Sequence, residues 1–99
     1  MTRAIVLIST ASEATSTVLT PLSVGIHYIE VVGDLGAASV QIQQTLDPTN
    51  LSNFKNIPDL VLTEGGVKMG VVRGGAYIRA VVTGNPAETI QVLVQDAST

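Results

Sequence analysis

Residues 39–46, SVQIQQTL, alternate along an extended chain: Val40 and Ile42 point to one side, Gln41 and Gln43 to the other. That is the period-two pattern of a strand with one buried face. In TIQVLVQ (89–95), Ile90, Val92 and Val94 likewise oppose Gln91 and Gln95, and only Leu93 breaks the rule. GIHYIEVV (25–32) divides into Ile29 and Val31 against Tyr28, Glu30 and Val32, and AYIRAVVT (76–83) into Ile78, Ala80 and Val82 against Tyr77, Arg79 and Val81. Strands are also predicted over RAIVLIST (3–10), DLVLTE (59–64) and VKMGVVR (67–73), with TVLT (17–20) a short edge piece ended by Pro21. Eight candidate strands separated by glycine-bearing turns predict an all-β chain, a small antiparallel β-sandwich with jelly-roll or Ig-like strand order. Fourteen Val, eight Ile and eleven Thr make a third of the chain β-branched, which favours the same reading.

One unit is written twice. GIHYIEVVGDLGAASVQIQ (25–43) returns as GGAYIRAVVTGNPAETIQVLVQ (74–95), each copy running from glycine through Tyr-Ile and a charge into a valine pair, a glycine turn and an aliphatic–glutamine exit. Each copy is predicted as a hairpin, the first closing across Gly33-Asp34-Leu35-Gly36. Two hairpins with one apolar face each bury those faces against one another, which places Tyr28 and Tyr77 in matching environments. Of the connections, TASEATS (10–16) reads as flexible and polar. DPTNLSNFKNIP (47–58) carries no strand pattern; Asp47 as a cap and Pro48 at the first helical position predict one short turn, with Leu51 and Phe54 on one side as a small lid.

Ninety-nine residues make a single domain, 1–99, which buries only about two thirds of the surface its unfolded chain exposes. With no cysteine and one histidine, neither a disulfide nor a metal site reinforces it, so association with other chains is the remaining source of stability. Composition agrees. Hydrophobic residues are 45% and charged residues 13%, against roughly 25% charged in an ordinary soluble domain. Too few charges exist to cover the surface, and a homo-oligomer is expected. The half-apolar outward sets Tyr28, Glu30, Val32 and Tyr77, Arg79, Val81, with Phe54, are the candidate subunit or partner interface.

A net charge of -3 and no basic patch beyond Arg73 and Arg79 argue against nucleic acid. No stretch approaches the roughly 20 apolar residues of a membrane span. The opening MTRAIVLISTASEATS has only Ala4 to Ile8 as its apolar run, too short for a secretion signal, and reads as a first strand. His27 has no histidine or cysteine partner for catalysis or metal binding. Asp34, Asp47, Asp59, Glu64 and Asp96 fall at strand ends without calcium-ligand spacing and read as turn formers. Gly65-Gly66 and Gly74-Gly75 lack the lysine and helix of a phosphate loop, and Asn50-Leu51-Ser52 is a chance glycosylation triplet. No catalytic residue, cofactor or metal is expected, and the chain reads as no enzyme.

The repeated unit, above all GGAYIRAVVTGNPAETIQVLVQ with its strand, Thr-Gly turn and closing strand, resembles the small β-sandwich virion proteins of tailed bacteriophages, a group that includes capsid decoration or cement proteins and neck and tail components. The two copies cover about 40% of the chain, and the resemblance carries over no functional residue. It implies a structural virion protein, most readily a capsid cement protein, trimeric at threefold positions, with the major capsid protein or other virion proteins as partners. A neck, tail or fibre component is the alternative. A carbohydrate-binding or adhesion sandwich is a further one, with only Tyr28, Tyr77 and Phe54 to build its aromatic platform.

Overall fold

The computed structural model describes residues 5–18, 25–72 and 76–96. Eight strands follow in chain order: β1 Ile5–Thr10, β2 Ala14–Thr15, β3 Gly25–Val32, β4 Ser39–Thr45, β5 Lys55–Leu62, β6 Gly66–Val72, β7 Tyr77–Thr83 and β8 Ile90–Asp96. They form two four-stranded antiparallel sheets, sheet A in the order β1-β8-β3-β6 and sheet B in the order β2-β7-β4-β5. This is the jelly-roll order. An Ig-like sandwich keeps its first two strands in one sheet, whereas here β1 and β2 lie in opposite sheets.

The predicted inward sets are the core. Ile29, Val40, Ile42, Ile78, Ala80, Val82, Ile90 and Val92 are almost wholly removed from solvent, joined by Val31 and Val94. Burying each branched side chain contributes about 1.5–3 kcal/mol, which makes this two-layer core the main stabilising element of a chain with no covalent cross-link.

The repeated segments are not hairpins. β3 pairs with β6 and β8, and β4 with β5 and β7, so each copy of the repeat leaves one sheet and enters the other. The connections explain why. Residues 33–38 and 84–89 are longer than the two-residue turns that keep strands adjacent. Each opens on a glycine at positive φ, Gly33 at 113° and Gly84 at 82°, and each turns an apolar residue inward, Leu35 in one and Pro86 in the other. These buried residues close one end of the sandwich while the chain crosses the ~10 Å between layers. The two arches brace each other: Ala87 N donates to Asp34 O at 3.1 Å, and Asp34 N to Glu88 Oε2 at 3.3 Å.

The duplication also extends beyond the repeat visible in the sequence. Advancing every strand number by four, with β5–β8 returning to β1–β4, turns the order of sheet A into that of sheet B. Both halves, β1–β4 and β5–β8, contribute two strands to each sheet. Corresponding strands even share an irregularity: β1 is bulged against β8 between Val6 and Ile8, and β5 against β4 opposite Gln41 and Gln43. Tyr28 and Tyr77 both face outward, on opposite sheets; Tyr28 lies opposite Gln95 and Tyr77 opposite Thr45.

Two connections differ from expectation. The edge piece predicted at 17–20 is displaced: Thr17 and Val18 are outside any strand, Leu19 and Thr20 lie outside the described residues, and the edge pairing is made by Ala14–Thr15 on β7. Residues 10–16 are therefore tied down. Glu13 Oε2 accepts from Gly84 N at 2.9 Å, Glu13 N donates to Asn85 Oδ1 at 3.1 Å, and Ser16 N donates to Ala80 O at 2.8 Å. Of residues 47–58, read as free of strand, 55–58 open β5, and the short helix is a 3-10 turn, Leu51–Asn53, capped by Asn50 rather than Asp47. An asparagine carbonyl reaches the free amides of that turn, with Asn50 Oδ1 taking Ser52 N at 3.1 Å.

Candidate interaction surface

The two outer faces of the sandwich carry different chemistry. On sheet B, Arg79 Nε donates to Gln43 Oε1 at 2.8 Å, and Gln43 Nε2 donates to Asn56 Oδ1 at 2.9 Å, a polar ladder across β7, β4 and β5. The Arg79 guanidinium also lies 4.1 Å from the centre of the Phe54 ring, a stacking that satisfies the cation against an aromatic face. Phe54 is only 6% exposed. It acts as packing beneath Arg79, at the start of β5, and is no free contact residue. Tyr77 and Val81 are half-buried beside Thr45 and between Thr15 and Gln41.

Sheet A is bare. A row crosses all four strands in register, Val6 on β1, Leu93 on β8, Glu30 on β3 and Val67 on β6. Tyr28 stands on one side of Glu30 and Val32 on the other. Val6, Tyr28, Val32 and Val67 are 49%, 40%, 47% and 57% exposed. Between Tyr28, Glu30, Val67 and Leu93 lies an open depression of ≈ 270 Å³. Glu30 is the one charge on this face among the described residues, and no described residue hydrogen-bonds it.

The predicted interface residues therefore separate. Tyr28, Glu30 and Val32 come together on sheet A, while Tyr77, Arg79 and Val81 lie on the opposite side of the molecule over Phe54. Sequence reasoning missed Val6, Val67 and Leu93 as members of the sheet A face. One signal was available: Leu93 is the residue that breaks the alternation of 89–95.

Of the acids, Asp34 and Asp47 serve the loops, while Asp59 stands within β5. Asp47 accepts from the Thr49 hydroxyl and from Thr49 N, and these bonds, the hydroxyl foremost, hold its carboxyl below the ordinary 3.8. Asp34 Oδ1 takes Gly36 N at 2.9 Å. Asp59 and Glu64 are exposed. Among the described residues no three of His, Cys, Asp and Glu gather into a metal-binding group, and no helix is long and apolar enough to cross a membrane. The side chains of His27, Leu51 and Asp96, and the whole of Arg73, Gly74 and Gly75, lie outside the described residues. A second open depression, ≈ 490 Å³, lies at the end of sheet B beside Leu46, Lys55 and Ala76.

Fold and surface together define an eight-stranded jelly-roll sandwich with one polar, hydrogen-bonded face and one uncovered apolar face. No protein-family model and no curated protein matches the chain. Among solved structures it is similar in fold to the crystal structure of the SPBc2 prophage-derived protein YomS, with a TM-score of 0.68 and 8% sequence identity over 97% of this chain and 94% of that one.

Proposed function

We propose that the protein is a structural component of a phage particle, a capsid cement or decoration protein that binds between capsomers through the outer face of sheet A and works as neither an enzyme nor a cofactor carrier. The observation that carries this reading is the row Val6–Leu93–Glu30–Val67 with Tyr28 and Val32 beside it, four exposed apolar or aromatic side chains gathered on the outer face of one sheet. The shared fold with a prophage-derived protein supports the phage setting.

The size of the face sets the mechanism. Four strands ~4.8 Å apart and about 20 Å long present roughly 400 Å² in projection, about half the ~800 Å² per partner of a standard interface. One such contact is weak. A homo-oligomer, a trimer before a dimer, presents several faces at once, and each engaged contact raises the effective concentration for the next. A ligand that binds only the assembled shell then stabilises it by mass action.

The test mixes the purified protein with emptied, expanded phage shells and with free capsid subunits, sediments both, and repeats at high salt. Binding to shells alone, retained in salt that screens surface charge, is the expected result. Binding to neither, or recovery only with tails when particles are dissected, removes the cement reading and leaves a neck or tail component. Light scattering on a size column gives the oligomeric state, and a clean mass near 10.3 kDa rejects the trimer.

A further inference from the structure

The two sheets treat their central charge in opposite ways. On sheet B, Arg79 rests on the Phe54 ring and bonds Gln43, so the cation is already satisfied within the chain. On sheet A, Glu30 sits on an inner strand, flanked across the strands by Leu93 and Val67 and along its own strand by Tyr28 and Val32. Its side chain is exposed to solvent. Any surface that covers this face takes the carboxylate out of solvent, and a carboxylate buried without a counter-charge or hydrogen-bond donors is strongly unfavourable.

A second copy of the same face is the wrong cover. In a twofold face-to-face pair, residues near the middle of one sheet meet residues near the middle of the other. Glu30 lies on an inner strand, in a row that crosses all four strands of the sheet, so two carboxylates would be brought together in an apolar setting. No basic residue among the described ones shares the face to neutralise them. Like charges placed opposite each other select against a pairing that the surrounding Val6, Val32, Val67 and Leu93 would otherwise favour.

We propose that Glu30 sets the specificity of this surface: the outer face of sheet A takes an apolar protein surface presenting one lysine or arginine at its centre, and rejects a second copy of itself. This rests on the assignment of that face as the docking surface and states the chemistry of the partner. Self-association of the chain uses other surfaces.

The chain itself supplies the probe. Protein with 13C-labelled Val and Leu methyls is titrated with unlabelled wild type, with Glu30→Lys and, in its own Glu30→Leu form, with unlabelled Glu30→Leu. Methyl signals of the core residues Val40, Val82 and Val92 report that each variant is folded. Wild type against wild type is expected to leave Val6, Val32, Val67 and Leu93 unmoved. Glu30→Leu against itself, and wild type against Glu30→Lys, are expected to shift those methyls, with affinity about tenfold or more above that of wild type for itself. Shifts in the wild-type pair, or none in the Glu30→Leu pair, overturn the rejection. No shift between wild type and Glu30→Lys overturns the requirement for a cation. None of these readouts involves a phage shell, so a protein that passes them and fails to bind shells refutes the cement reading while leaving the chemistry of the face in place.

Discussion

Gln41 does what an aliphatic residue at its place would not. Its Nε2 donates to Ile42 O at 2.7 Å, Ile57 O at 2.9 Å and Leu60 O at 3.3 Å. Two of those carbonyls belong to the bulge of β5, where Pro58 interrupts the ladder and has no N–H of its own to give. Replacing Gln41 by Leu strands these acceptors, and a loss of about 1–3 kcal/mol is expected, read from urea unfolding as a lower midpoint with unchanged slope. The sequence marks Gln41 only as an outward glutamine. Its task appears when the bulge brings Ile57 and Leu60 to it. Asp47 gives a second expectation. Its folded carboxyl titrates below 3.8 because of Thr49, so its stabilisation is present above the unfolded value and is lost as pH falls through the folded one. Thr49→Val removes the hydroxyl bond. NMR titration is expected to show Asp47 moving up toward 3.8, and the variant's stability deficit at neutral pH is expected to vanish in strong acid.

At the scale of elements, the edge where β5 approaches β6 depends on one missing side chain. A Cβ on Gly70 would stand 2.6 Å from Leu60 Cγ and 2.9 Å from its Cδ2, and Leu60 is 1% exposed and has nowhere to move. Gly70→Ala is expected to cost about 1–3 kcal/mol by overpacking. Leu60→Ala alone is expected to cost about 2–5 kcal/mol by leaving a cavity. The double variant is expected to be more stable than the sum of the two losses, since the new methyl enters the space the leucine vacates; additive losses in a denaturant cycle count against this contact. The arches belong to the same scale. Alternation tells which side of β3, β4, β7 and β8 faces inward, but inward is the same direction whether two successive strands lie in one sheet or in facing sheets. The pattern of 25–43 and 74–95 therefore fits a hairpin and an arch equally. Leu35 and Pro86, buried in the connections, mark the difference.

For the whole molecule, the four-strand duplication makes a strong claim about connectivity. Rotating the chain order to β5–β8 followed by β1–β4 reproduces the jelly-roll order with the two sheets exchanged. The ends to be joined are close, because Ile5 pairs with Val94. A circular permutant with a flexible linker from Asp96 to Ile5 and new termini within residues 46–54 is expected to fold to the same structure at a lower melting temperature, from loss of the Asn50-capped turn. An amide spectrum that retains the dispersion and core shifts of the parent confirms this. A collapsed spectrum shows that the order of the halves matters to folding.

The sequence alone determined what depends on local periodicity and composition: all-β character, the strand positions to within a few residues over most of the chain, the inward residues, and a surface poor in charge. Period two is a property of neighbouring residues, and it survives any choice of strand partners. Tertiary structure decided what depends on partners. It chose arches over hairpins, placed the tyrosine of one copy on sheet A and of the other on sheet B, and took Phe54 from the surface to the underside of Arg79. It also gathered Val6, Glu30, Val67 and Leu93, from four separate strands, into one row. No local pattern encodes that row, because cross-strand register is fixed by long-range pairing and by the core it buries.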